Sequence, residues 1–197
     1  MVNINADNNP EFVNSFLDYS LTILNKSPNS VKEYNYDLNM FLKFLKIHYK
    51  LTDETDFNKI TTKDISVDII RKVTSEDILS FLSYLALNNN SKPATRARKI
   101  STIRIFFSYL SQKAKLIDNN PAQYIETPKK EKRMPKYLSL DDSKKLLSVS
   151  MDENDENKER DYAIITLFLN CGLRLSELVG INIQDIDFGE QKLNVIR

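Results

Sequence analysis

The sequence predicts a mainly α protein, in which an N-terminal bundle of four to five helices is followed by a smaller part that ends in an opening β-hairpin. Two observations predict the bundle. Apolar residues recur at helical spacing over most of residues 12–114, and helix-start signals precede those stretches. A third observation places the change of character. The only three glycines, Gly172, Gly180 and Gly189, all fall late in the 197 residues, so the earlier chain lacks the residue that most readily adopts positive φ.

The elements follow in order. Val13, Phe16, Leu17, Leu21 and Leu24 form a helical stripe after Asn9-Pro10, read as an N-cap and a first-turn proline. Ser27-Pro28 repeats that signal before Val31, Tyr34, Leu38, Phe41, Leu42 and Leu45, which predicts a second helix to about Tyr49. Residues 51–73 mix Thr, Asp and Lys with Ile60, Ile65, Val67, Ile69 and Ile70, and read as a loop holding a short extended or helical piece. Thr74 and Asp77 make a capping-box pattern ahead of Ile78, Leu79, Leu82 and Leu85. A fourth stripe over 91–114 runs through Ile100, Ile103, Phe107 and Leu110, and a short helix at 121–125 is expected to close the bundle. Two prolines and six charged residues between Thr127 and Lys136 suit an extended connection. The expected domains are therefore 1–126 and 138–197, joined by a basic linker at 127–137.

Beyond the linker, Ser139 with Asp142 predicts another capped helix, with Leu140, Leu146 and Leu147 as its apolar face. Residues 151–158 are acidic and expected to be exposed. Residues 162–170 are strongly apolar and predict a buried helix that Gly172 ends from a left-handed cap, with a new helix over 175–179. Ile183, Ile186, Phe188, Leu193, Val195 and Ile196, with Gly189-Glu190 at a turn, predict the hairpin, its second strand reached as the chain ends.

Composition limits the function classes. No apolar run approaches the roughly 18 residues of a membrane span, and the polar, Asn-rich start lacks a signal-peptide pattern, so a cytoplasmic protein is expected. The single cysteine, Cys171, allows neither an intrachain disulfide nor a thiolate metal cluster, and its apolar surroundings predict a buried thiol. The net charge of +1 hides a strong segregation. Residues 91–136 carry 12 basic and 3 acidic side chains, a net +9, between flanks of −3 and −5. A concentrated basic block is what a phosphate backbone selects, which makes nucleic acid the leading partner.

Two features in that block are candidate contacts. Thr95, Arg98, Lys99 and Thr102 fall within an arc of about 100° on the fourth helix. Two cations and two hydroxyls on one face suit phosphate oxygens and, in a major groove, base edges. Lys129, Lys130, Lys132, Arg133 and Lys136 in the linker suit sequence-independent contacts to the backbone.

These residues, together with several ordered motifs, carry a resemblance. The motifs are Tyr34, Asp37-Leu38 and Phe41 through Phe44-Leu45, then Ala97-Arg98-Lys99-Ile100-Ser101-Thr102-Ile103-Arg104 and Phe106-Phe107-Ser108-Tyr109-Leu110. Asn120-Pro121-Ala122, Met134-Pro135-Lys136-Tyr137-Leu138 and Gly172-Leu173-Arg174-Leu175-Ser176-Glu177-Leu178 follow. From about Phe12 onward the chain resembles a tyrosine recombinase of the Xer and phage-integrase type, and the last motif is the specific one. The resemblance implies a helical, SAM-like core-binding domain followed by the first helices and hairpin of an α+β catalytic domain, the two clamping double-stranded DNA.

Within that resemblance Arg174 matches the first of two catalytic arginines, whose guanidinium holds the scissile phosphate. Glu177 matches a supporting acid three residues on. The implied reaction joins a tyrosine to the 3′-phosphate and frees a 5′-hydroxyl, with the bond energy conserved for rejoining. No metal or nucleotide cofactor is implied, and a tetrameric synapse with other recombinase protomers is. The chain departs from the pattern in lacking the hairpin lysine, His-x-x-Arg, the later His or Trp and a matching nucleophilic tyrosine within its 197 residues. His48, the only histidine, reads as a partly exposed bundle residue. The expectation is a DNA-binding recombinase fragment without cleavage activity of its own. The alternative is a non-catalytic DNA-binding or recombinase-interacting module.

Overall fold

The structure is a computed structural model that describes residues 8–129 and 134–195. The chain divides into two compact units, 1–132 and 133–197. In the first, helices α1 (Glu11–Thr22), α2 (Pro28–His48), α4 (Ser75–Leu87) and α5 (Pro93–Gln112) form a bundle, and the one-turn helix α3 (Val67–Arg71) sits in the α2 to α4 connection. Fully buried Phe16, Phe41, Phe81, Phe106 and Phe107 fill the centre. Phe41 meets Phe81 edge-on with ring centroids 5.2 Å apart, and Phe16 meets Phe106 at 5.4 Å. Such tilted pairs contribute beyond the area they bury.

Local chemistry starts each helix. Ser27 Oγ accepts the Ser30 N–H at the start of α2, and Pro28 occupies the first turn. Thr74 and Asp77 form the reciprocal capping box of α4. In α1, Pro10 rather than Asn9 stands at the cap position. Asn9 instead turns inward, donating to Asn14 and Asn35 and accepting from Asn39. Leu79 is half exposed, and Phe81 takes the core position, because Ile78, Phe81 and Leu85 hold the bundle side of α4. Residues 121–124 form a turn rather than a short helix, although Ala122 and Ile125 do seal the bundle. The Asn120 side chain accepts the Ala122 N–H, a local turn that competes with helix.

The 49–66 connection is tied to α2 by polar groups. Lys46, 4% exposed, donates to both oxygens of Asp64 at 2.8 Å and to the Thr61 carbonyl. The Lys46 hydrogen bond holds the Asp64 carboxyl below its ordinary value. His48 stacks on Phe44 and contacts Asp77, as expected of a partly exposed bundle residue.

The second unit contains α6 (Leu140–Val149), α7 (Lys158–Cys171), α8 (Leu175–Val179), a 3-10 turn at Ile183–Asp185 and an antiparallel pair, β1 (Ile186–Asp187) with β2 (Lys192–Leu193). Ser139 caps α6, and Gly172 ends α7 at φ 60°, in the left-handed region. Asp187 Oδ1 accepts the N–H groups of Gly189 and Glu190, which sets the hairpin turn.

Three expectations differ here. The helix over 162–170 forms, but none of its residues is buried, since α6 covers only part of a helix that is apolar on several sides. On α6, Leu140 and Leu146 are exposed, so its apolar face is only partly used. Cys171 is exposed as well, being the last helical residue before the Gly172 turn. Ile196 lies outside the described residues.

Asp77 predicts a pH response. Burial raises its carboxyl, but hydrogen bonds from the Thr74 N–H, Tyr49, the Thr74 hydroxyl and His48 outweigh that and leave it below the ordinary 3.8. A lowered acid stabilises the folded state fully above its unfolded value, and that contribution is lost as pH falls through the folded value. Urea unfolding of the chain is expected to show this loss below about pH 4, with Asp77→Asn costing about 1–3 kcal/mol at pH 7 and flattening the acid limb.

Candidate nucleic-acid interface and phosphate-binding arginine

Asp37 stands on α2 among Tyr34, Leu38 and Phe41, and its side chain is 0% exposed. A bare carboxylate there would carry a desolvation cost of several kcal/mol. The facing turns of α5 supply its partners. Arg98 Nη1 donates to Oδ2 at 2.6 Å and Nη2 to Oδ1 at 2.9 Å. Lys99 Nζ donates to Oδ1 at 2.8 Å, and the Thr102 hydroxyl donates to Oδ2 at 2.9 Å. Four donors occupy the four lone-pair positions that an ionised carboxylate offers.

The helical spacing explains the convergence. Arg98 and Thr102 are one turn apart on one side of α5, and Lys99 reaches Asp37 from beside them. Lys99 also lies over the Tyr36 ring, 4.8 Å from its centroid, so its charge is met on two sides.

The structure thus separates the four residues of the expected contact face. Lys99 and Thr102 are 3% and 2% exposed, with their polar atoms engaged by Asp37, so they stand inside the bundle and not on an open cationic surface. The sequence reading placed them beside the apolar stripe and passed over the acid that draws them in. Thr95 is half-buried, one turn before Arg98. Arg98 straddles the boundary. Its side chain is 42% exposed, and beyond Asp37 its Nη1 lies 3.1 Å from Glu33 Oε2. Between α2 and α5 a groove of about 400 Å³ is lined by Asn29, Ser30, Glu33, Arg98 and Ser101, among others.

Sequence reasoning missed Asp37 and Glu33 as parts of this site. The signal for Asp37 was present, since an acid within an apolar helical stripe requires a cation, and Arg98-Lys99 is the basic pair on an equally apolar helix. Arg104, part of the Ala97–Arg104 motif, has a structural role that the sequence does not show. Its Nη2 donates to the Ile125 carbonyl at 2.7 Å, and Asn120 donates to the Arg104 carbonyl, so it holds the 120–127 segment against α5.

Among the linker cations, Lys129 and Lys136 are exposed. Lys130, Lys132 and Arg133 lie outside the described residues.

In the second unit, Gly172 reverses the chain after α7 and delivers Arg174 to the residue before α8. Glu177, 14% exposed in its side chain, accepts the Arg174 N–H through Oε2 at 2.8 Å and Arg174 Nη1 through Oε1 at 2.7 Å. One carboxylate therefore fixes both the backbone and the side chain of Arg174. The Arg174 side chain remains 71% exposed, and its planar set of donors suits a bidentate oxyanion such as a phosphodiester.

Truncating Asp37 would leave Lys99 buried beside a lost counter-charge. Asp37→Ala is expected to cost about 3–5 kcal/mol in urea unfolding. Exposed Glu33→Ala should stay within about 0.5 kcal/mol.

Comparison with known proteins matches both units. Residues 12–115 match the phage integrase N-terminal SAM-like domain, and residues 136–197 match the phage integrase family domain. Tyrosine recombinase XerC of Caldanaerobacter subterraneus subsp. tengcongensis is 47% identical over 95% of this chain and 52% of its own length. Tyrosine recombinase XerC of Syntrophus aciditrophicus is 34% identical over 94% of this chain and 56% of its own. Tyrosine recombinase XerD of Oceanobacillus iheyensis is 33% identical over 81% of this chain and 47% of its own. The chain spans about half the length of the curated relatives it matches. With a SAM-like bundle followed by the α-helices and hairpin that carry the arginine turn, and with family matches over both, the chain belongs to the phage integrase family of tyrosine recombinases.

Proposed function

We propose that this chain is the DNA-binding part of a site-specific recombinase, one that cleaves and rejoins DNA strands through a 3′-phosphotyrosyl intermediate. The observation that carries this reading is Arg174, held by Glu177 on one side and exposed on the other, in a chain of this family. Its guanidinium would bind the non-bridging oxygens of the scissile phosphate, where negative charge accumulates as the bond is attacked. Glu177 supports it by fixing its orientation. The α2/α5 side, through Arg98 and Thr95, meets the duplex, while Lys99 and Thr102 act from behind by holding Asp37. The linker cations Lys129, Lys130, Lys132, Arg133 and Lys136 contact the phosphate backbone. The boundaries 1–126, 127–137 and 138–197 divide the chain by these roles.

In this reading the partners are duplex DNA and further recombinase protomers, assembled as a tetramer around paired sites, and the setting is the nucleoid in the cytoplasm. Among the described residues no helix is long and apolar enough to cross a membrane.

Fluorescence titration of a labelled duplex over a salt series tests the binding. Log affinity is expected to fall linearly with log salt, and Lys129→Ala and Lys136→Ala should each lower the slope by about 1. Absence of binding at low salt would overturn the reading. With a nicked suicide duplex, the 197-residue chain is expected to form no covalent adduct, because no tyrosine in it matches the nucleophile position. A denaturant-resistant protein–DNA band would contradict that.

A further inference from the structure

Glu33 is out of place on a surface that meets phosphates. It is exposed, with a side chain at 60%, and it lies 3.1 Å from Arg98 at the mouth of the groove between α2 and α5. A carboxylate repels every phosphate and offers only acceptors. In a duplex, the major-groove groups that can satisfy it are the exocyclic amines of bases, and the cytosine N4 amine is the one that pairs with acidic side chains. Its neighbour has the complementary preference. A guanidinium donates to guanine O6 and N7, the commonest base-specific contact.

We propose that Glu33 and Arg98 together read one G·C base pair, Arg98 donating to the guanine and Glu33 accepting from the cytosine amine. Three features of the site support the assignment, which rests on the reading that this side meets duplex DNA. The first is charge. Arg98 and Lys99 are matched by Asp37 and Glu33, so this cluster is close to neutral and adds little sequence-independent attraction. It is better suited to discrimination than to general adhesion. The second is preorganisation. Asp37 grips both Nη atoms of Arg98 from the buried side and Glu33 faces Nη1, and that leaves Nε and the outward hydrogen of Nη2 for a ligand in a fixed plane. Asp37 is therefore a positioning residue, acting through Arg98. The third is stability, since an exposed ion pair such as Glu33 with Arg98 contributes little to folding. Ser30 and Ser101 beside the pair add hydroxyl oxygens, the Ser101 proton being donated to the Ala97 carbonyl so that its oxygen accepts.

The test is binding-site selection from a randomised duplex library with the whole 197-residue chain, followed by titration of the selected duplex and single-base-pair variants. Wild type is expected to select G·C at one position and to bind the other three pairs there roughly 5- to 150-fold more weakly. Glu33→Ala and Arg98→Lys should each flatten that one preference. Arg98→Lys keeps the charge, so its salt slope should match wild type, which a general loss of structure would not produce. Asp37→Asn, the near-isosteric variant, should weaken the same position's preference while circular dichroism remains that of wild type. If no duplex binds at any sequence, both the inference and the DNA-binding reading fall. If duplexes bind but Glu33→Ala and Arg98→Lys leave every positional preference unchanged, the base-reading assignment alone is wrong.

Discussion

The buried carboxylate of Asp37 is the constraint around which the N-terminal unit is arranged. A charge at 0% exposure between two packed helices is tolerable only when its acceptor positions are filled, and four donors from α5 fill them. Because those donors span Arg98 to Thr102, the hydrogen bonds are satisfied in only one register between α2 and α5. Apolar packing by Phe41, Phe81 and Phe107 supplies the driving force, but apolar faces tolerate sliding. The polar cluster does not, and it also decides which cation is drawn inside and which is left at the surface.

The charge pattern acquires a different meaning once this is seen. A net +9 over 91–136 does not become +9 of open surface. Lys99 is buried, Arg98 is shared between two acids, and Arg104 is spent on the carbonyls of the 122–125 turn. Exposed Lys129 and Lys136 of the connection remain available for long-range attraction. In the proposed reading adhesion and discrimination fall on different segments: exposed lysines in one, a guanidinium clamped by a buried acid in the other.

The legible and illegible parts of the fold divide along physical lines. Caps were readable because they are local: Ser27-Pro28, Thr74 with Asp77, Ser139 with Asp142 and Gly172 all stand where their chemistry implied. So was the hairpin about Gly189-Glu190. Burial was read less well. Leu79 and the 162–170 helix are apolar, yet exposure depends on what packs against each side, and periodicity within one helix cannot supply that. The turn at 121–124 was missed because an asparagine side chain competes for the backbone there. The site shows the same limit most sharply. Arg174 was legible because its motif is contiguous, with its partner Glu177 three residues away. The partner of Arg98 and Lys99 lies 61 and 62 residues earlier in the chain, and a helical wheel drawn on α5 alone leaves them facing water.

The two arginines follow one design despite standing in separate units. In each, a carboxylate fixes one side of a guanidinium, Asp37 for Arg98 and Glu177 for Arg174, while the side chain stays partly exposed, at 42% and 71%. Orientation comes from the acid and charge from the arginine, so ligand binding need not first order a long flexible side chain. For Arg98 this coupling is directly measurable through a double-mutant cycle in urea unfolding, combining Asp37→Asn with Arg98→Met. A coupling of roughly 1–3 kcal/mol between the two positions is expected, whereas additivity within about 0.3 kcal/mol would show that Asp37 does not organise Arg98.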